Sequence, residues 1–388
     1  MSVQRLERIP GFNIDRVAAE AGTDPDVLRM ENLDTDIPPP AAAMEATRAA
    51  IGEDDANSWL PFTGRDDLKE AVAAYIERRG APRYDGRREI VITSGEGDAM
   101  LDALFCLTDP GDEVILTDPT YAGMLNRVRL VGAQPQLVPL QVVEGEWRLD
   151  IAALQTTVTD RTRVIFLNNA SFPSGWVANA EELEAIAALC RERDLWLLYW
   201  GGFEGVLFDG RPIVHPASLS GMRDRTVTVG APSFEQRMIA WRVGWVVAPG
   251  ALVNDVSRVQ IYNGLVASGF AQIGTCVALG APDDDLAAAN AEWQRRRDET
   301  LRQLAGLPVI RPAGGWSLLL DVAALGLDCM EVSARLLAEK VAATPMRGWG
   351  GEIANRHVRF VFSNEPVERL VLLGDRVRRA LVAADATL

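Results

Sequence analysis

Two lysines are all the amine chemistry this chain has. Lys69 and Lys340 stand among 39 basic residues, so nearly all the positive charge is arginine. Arginine stays protonated at neutral pH and is a poor nucleophile, so it forms no imine with a carbonyl. Any lysine-dependent mechanism therefore has two candidates. Other reactive types are as sparse. Cys106, Cys190, Cys276 and Cys329 are widely spaced, which indicates neither a disulfide framework nor a zinc knuckle and reads as free, mostly buried thiols. His215 and His357 receive no role. The run "PDDDL" at 282–286 looks superficially like an aspartate-rich magnesium motif, but N-capping of the following helix by Asp283 to Asp285 is the simpler reading.

Composition narrows the partners. The 388 residues are 48% hydrophobic and 24% charged, an ordinary globular balance with room for one large or two medium domains. A formal charge of -15 argues against nucleic acid and anionic membranes, both of which need a basic face. No apolar run reaches the roughly 18 to 20 residues of a membrane span, and the opening "MSVQRLERIPGFNIDR" lacks the apolar stretch of a signal peptide. The expected location is the cytoplasm.

The elements alternate. "EIVITSG" ends in a small-residue turn and opens the helical "EGDAMLDALFCL"; "DEVILTDPTY", "RVIFLNNA", "LWLLYW", "RTVTVGA" and "RVGWVVAPG" follow as short apolar runs suited to strands buried on both faces. Helical patterns such as "NAEELEAIAALCRERD" lie between most of them, which predicts a mostly parallel sheet covered by helices. Past about residue 280 the rhythm changes to a charged helix, "WSLLLDV", a helix, "HVRFVFS" and a last helix, a smaller α+β unit.

With these motifs in order, nearly the whole chain resembles the fold-type I aminotransferases of class I/II, which depend on pyridoxal phosphate (PLP). "DTDIPPP" resembles the N-terminal segment, "NSWLPFTGRDDLKEAVAAY" the segment that reaches a neighbouring subunit's cofactor, and "TSGEGDAML" the phosphate turn. "DPTYAGM" is similar to the loop whose aromatic stacks on the pyridine ring, "NNASFPSG" to the Asn-Pro-Thr-Gly loop, and "AWRVGW" to the Gly-Trp-Arg loop. "HVRFVFS" carries Arg359, which the resemblance assigns to a substrate carboxylate. The implied architecture is α/β: an N-terminal segment (1–45) joining a small domain (281–388), beside a large domain (46–280) with a mostly parallel, seven-stranded sheet. The implied assembly is a homodimer with its pockets at the subunit interface.

The same alignment of motifs exposes departures. The family's imine-forming lysine sits eight residues before the phosphate-binding arginine; counting back from Arg242 gives Phe234. Counting back from "FDG" (208–210) puts Trp200 where an aspartate holds the pyridine nitrogen protonated. The asparagine on the phenolic oxygen becomes Phe172, a cradle serine becomes Ala231, a phosphate-turn donor becomes Glu96, and the bridging tyrosine becomes Trp59. From these replacements the expected function is a cofactor-independent enzyme of cyclase, isomerase or lyase type in specialised metabolism. Trp59, Tyr121, Phe172, Trp200, Phe203, Phe234, Arg242 and Arg359 would line a pocket for a flat, apolar or cationic molecule, possibly one bearing a carboxylate. Glu96 and Tyr199 are its candidate acid and base, and no cofactor is expected. The alternatives are a silent scaffold or heterodimer partner, and non-covalent PLP or PMP chemistry. Arg242 has a second reading as the ion-pair partner of Glu96, Arg359 as a structural ion pair, and Tyr121 and Trp241 as core.

Overall fold

The apolar runs fold as strands because β-branched and aromatic side chains pack well on a pleat buried on both faces. The structure, a computed structural model, describes residues 4–9, 11 and 13–382. In chain order the strands are β1 (Leu28–Arg29), β2 (Ile90–Thr93), β3 (Glu113–Asp118), β4 (Gln134–Val143), β5 (Glu146–Leu149), β6 (Thr162–Asn168), β7 (Trp196–Trp200), β8 (Thr226–Gly230) and β9 (Gly244–Val247). After them come β10 (Val309–Ile310), β11 (Ser317–Asp321), β12 (Val341–Ala342), β13 (Thr344–Pro345) and β14 (His357–Val361).

The large sheet has the order β2-β9-β8-β7-β6-β3-β4-β5. From β8 to β4 the neighbours are parallel; β9 runs antiparallel to both β2 and β8. Seven of these strands form the expected sheet, and β5 extends it by folding back on β4 as an antiparallel hairpin. The intervening helices cover both faces. One of them, Ala180–Glu192, starts with a reciprocal capping box between Asn179 and Glu182, which satisfies two otherwise orphaned backbone donors. The second sheet is antiparallel, β10-β11-β14-β13. It places Arg359 of β14 opposite Leu319 on one side and Thr344 on the other. The N-terminal segment joins in through β1, which pairs with β12, and through Met30, whose carbonyl accepts from the Val361 amide at 2.9 Å.

The acidic run at 282–286 departs from the capping expectation. Asp283 stands at the N-cap of the helix Asp284–Gln303, but its side chain makes no capping bond. It accepts instead from Arg79 at 3.3 Å, and Asp285 pairs with Arg237. A guanidinium within reach outbids a backbone amide, because its hydrogen bond is charge-assisted.

At the start of the helix Glu96–Leu107 two backbones nearly touch. Gly95 has φ +98, and a Cβ on Gly244 of β9 would lie 2.4 Å from the Gly95 carbonyl carbon and 2.6 Å from the Glu96 nitrogen. Only glycine fits both requirements. Gly244→Ala should therefore destabilise the protein by about 1 to 3 kcal/mol through overpacking; thermal denaturation checks this, and an unchanged midpoint would contradict it.

Candidate functional site

The loops that leave the carboxyl ends of β3, β6, β7 and β8 converge on one spot, the usual position for a ligand crevice in an open α/β sheet. Tyr121 arrives after β3, Phe172 after β6, Trp200 ends β7, and Phe234 follows β8. Asn168 holds two of these loops together: its Oδ1 accepts from the Phe172 amide at 2.5 Å and its Nδ2 donates to the Trp200 carbonyl at 3.2 Å.

The rings meet. Tyr121 lies 5.6 Å from Phe172 and 5.2 Å from Trp200, centre to centre. Phe234 stacks on Phe203 at 4.3 Å with only 15° between the planes, and its edge contacts reach Trp200 and Trp316. Phe172, Trp200, Phe203 and Phe234 are all buried, so the space between the strand ends and the second sheet is packed with aromatic carbon. Phe234 is held from behind by its neighbour Glu235, which accepts from the Tyr75 hydroxyl, the Gly205 amide and Arg79.

Glu96 begins its helix at the edge of this cluster. Its Oε2 accepts from the Trp200 indole nitrogen at 2.9 Å. Burial pushes its carboxyl up to about 7, against the lowering effects of that hydrogen bond and of Arg242 and Arg127. Arg242 is exposed and forms no ion pair with Glu96 among the described residues; its Nη1 donates to the Ile239 carbonyl at 2.8 Å. Tyr199 lies elsewhere. As the neighbour of Trp200 on β7 it points to the opposite face of the sheet, where its hydroxyl donates to Glu204 at 2.8 Å. Burial raises Glu204 to about 8 and lifts the Tyr199 phenol well above its ordinary value. The structure thus brings Glu96 to the ring cluster and takes Tyr199 away from it. Trp59 also stands apart within the chain: it is 78% exposed and touches Phe62 edge-on at 6.2 Å.

Arg359 is fully buried. Its Nη2 donates to the Glu31 carbonyl and to the Thr344 hydroxyl, while Nε and Nη1 have no partner among the described residues. The guanidinium carbon lies 4.8 Å from the ring centres of both Phe172 and Trp349. Burial lowers its pKa to about 9, with Glu31 and Tyr121 opposing, so it remains a cation at neutral pH. Trp316 and Trp349 are members of this site that sequence reasoning passed over. Each stands beside glycine, in "GGWS" and "RGWGGE", and that signal was available.

Residues 28–371 match the family model for aminotransferase class I and II. The chain belongs to that family. It is 31% identical to the arginine–pyruvate transaminase AruH of Pseudomonas aeruginosa over 91% of this chain and 90% of the relative. It is 28% identical to an aspartate aminotransferase of Pyrococcus abyssi over 97% of each. The solved structure of N-succinyldiaminopimelate aminotransferase from Mycobacterium tuberculosis superposes with a TM-score of 0.91 at 29% identity, covering 98% of this chain and all of that one.

These relatives correct the expected activity. They are transaminases and aminotransferases by name, which points to amino-group transfer and away from a cofactor-independent cyclase, isomerase or lyase. The expected break with conventional aminotransferases, with its scaffold and lysine-free alternatives, is overturned on the same ground. The departures at Phe234 and Trp200 are single positions, whereas the family likeness runs through residues 28–371.

The side chains at the site nevertheless do not fit PLP as the resemblance would hold it. Phe234, where the imine-forming lysine is expected, is stacked on Phe203. Lys69 is tied to Asp66 at 2.8 Å, and Lys340 to Asp24 at 2.7 Å on the surface.

Two outcomes follow. Phe234→Ala should cost about 3 to 5 kcal/mol, the usual price of removing a packed ring, as read by chemical denaturation; a loss under about 1 kcal/mol would mean that the ring lines open space. The second concerns pH. Glu96 and Glu204 hold protons more tightly folded than unfolded, so their stabilisation is complete below pH 4.5 and is lost as pH rises through about 7 and about 8. Glu96→Gln, which keeps an acceptor for Trp200 without the charge, should match the wild-type melting temperature at pH 5 and exceed it at pH 8. A variant less stable than wild type at pH 8 would contradict this.

Proposed function

We propose an aminotransferase function, on amino acids and 2-oxo acids whose α-carboxylate is held by Arg359. One observation carries the geometric part: a buried guanidinium whose Nε and Nη1 lack partners, beside the aromatic cluster at the strand ends. A buried polar group without a hydrogen bond is costly, and a planar carboxylate satisfies two guanidinium N–H groups at once. The names of the relatives support the amino-group part. In this reading Tyr121 offers a flat stacking face, and Phe172, Trp200, Phe203 and Phe234 form the apolar floor. Glu96 is the proton-holding group, close to half protonated near neutrality. Arg242, exposed at the Gly95 turn, is the outer anion contact.

The assembly belongs to the same proposal. Trp59, exposed beside the cleft formed by 56–60 and 266–270, is the residue that a second copy of the chain would cover, with the site at that interface. Among the described residues no helix is long and apolar enough to cross a membrane; the proposed location is the cytoplasm.

Calorimetric titration with pyruvate, 2-oxoglutarate and phenylpyruvate, alongside a mass-spectrometric assay for amino-group transfer with PLP supplied, tests the reading. Arg359→Gln should weaken 2-oxo acid binding at least about 100-fold, the scale of a lost buried charge-assisted pair. Wild-type affinity in that variant would overturn it.

A further inference from the structure

Glu31 reaches this site from the N-terminal segment, and it is fully buried. Its main chain is tied to the cation: the Glu31 carbonyl accepts from Arg359 Nη2 and, at 3.1 Å, from the Thr344 hydroxyl. Its side chain is tied through one oxygen only. Oε1 accepts from Arg29 Nε at 2.8 Å and Nη2 at 2.5 Å, and Arg29 is itself held by the Gly22 carbonyl at 2.8 Å. Oε2 has no partner among the described residues.

Two unsatisfied ends of opposite character thus belong to residues that touch. Arg359 Nε and Nη1 are donors without an acceptor, Glu31 Oε2 is an acceptor without a donor, and the two do not satisfy each other. Arg29 holds the carboxylate where it is. The Glu31 charge is nevertheless felt at the guanidinium, whose pKa it raises against the effect of burial. Buried charges left short of hydrogen bonds are costly, and one kind of ligand relieves both costs together.

That ligand carries an anion and a cation on neighbouring atoms. The carbonyl bonded to Arg359 and the open Oε2 belong to the same residue, so Oε2 stands no farther from the guanidinium than a glutamate side chain reaches. A planar carboxylate satisfies two guanidinium N–H groups. An ammonium donates three hydrogen bonds and accepts none, which is what Oε2 lacks. An α-amino acid has both groups. Its 2-oxo acid has the carboxylate but brings a carbonyl oxygen towards Oε2, acceptor against acceptor, and leaves that oxygen unpaired.

We propose that Glu31 distinguishes an amino acid from the matching 2-oxo acid: with the α-carboxylate on Arg359, the α-ammonium donates to Glu31 Oε2. The proposal rests on the reading of Arg359 as the carboxylate site. It concerns binding alone, and no bond is made or broken in it.

Calorimetric titration of the full chain near neutral pH with two matched triplets tests it: L-alanine, pyruvate and propanoate, and L-phenylalanine, phenylpyruvate and 3-phenylpropanoate. Within a triplet the carboxylate and side chain stay the same and only the amino group changes. Wild type should bind the amino acid at least about tenfold more tightly than the other two members, the scale of one charge-assisted hydrogen bond. Glu31→Gln keeps an acceptor for Arg29 without the charge. It should lose this preference while binding the other two members at least as tightly as wild type does. Arg359→Gln should weaken all three. The comparison within wild type decides the matter if Glu31→Gln does not fold. Equal affinities within the triplets in wild type would overturn the role of Glu31 and leave the Arg359 reading intact, provided Arg359 is required. A Glu31→Gln variant that keeps the preference, or that weakens all three members equally, would do the same. If no member binds wild type, or if Arg359→Gln binds them as wild type does, the proposal and the Arg359 reading fall together.

Discussion

A guanidinium buried without a carboxylate beside it is the constraint around which this molecule is arranged. Burial lowers the pKa of Arg359, and Glu31 and Tyr121 oppose it, while the Glu31 carbonyl and the Thr344 hydroxyl accept its hydrogen bonds and the rings of Phe172 and Trp349 lie against it. Each comes from a different part of the chain. Glu31 follows β1, Thr344 opens β13, Phe172 follows β6 of the large sheet, and Trp349 sits on the loop before β14. The groups around this one cation thus come from both sheets and from the N-terminal segment, so its surroundings are complete only where those parts meet.

The neighbouring rings solve a different problem with the same material. Where a polar cradle would have to be hydrogen-bonded atom by atom, stacked and edge-on rings fill volume with few polar atoms to satisfy. Those that remain are few and placed. The Trp200 indole finds Glu96, whereas the Trp316 indole nitrogen has no partner among the described residues. Glu96 lies at a helix start, where the backbone favours negative charge, yet it is buried deeply enough to hold its proton near neutrality. Among the rings of the cluster Arg359 is the buried cation with unpartnered N–H groups, and that contrast favours a carboxylate there.

Much of this was legible in the sequence, and the parts that were not share a cause. The strand runs announced the large sheet because burial on both faces leaves no room for polar alternation. β5 escaped notice because "EWRL" is short and half polar, and its pairing is a hairpin with β4 rather than a property of its own residues. Phe172, Trp200 and Phe234 were found through motif position, and with Phe203 and Tyr121 they form one ring cluster. Tyr199 was misplaced relative to them because adjacency in sequence on a strand means opposition in space. Trp349 and Trp316 were missed because their importance comes from what the second sheet carries to them. Activity was the least legible, since Phe234 and Trp200 each change one position while the family likeness is spread over residues 28–371.

The acidic run before the long helix Asp284–Gln303 has a consequence for how the sequence can drift. In both of its ion pairs the acid is about half exposed, at 44% for Asp283 and 54% for Asp285, while the guanidiniums of Arg79 and Arg237 are exposed by 6% and 1%. The two ends of each contact are therefore not equivalent under mutation. An aspartate replaced at the surface leaves Arg79 still paired with Glu235 and Arg237 still donating to the carbonyls of Pro38 and Glu235, whereas losing Arg79 would strand the Glu235 carboxylate, which has almost no access to water. Change along this seam is easier from the outside inward, so the order in which a lineage loses such pairs is set by burial, with the exposed partner free to go first.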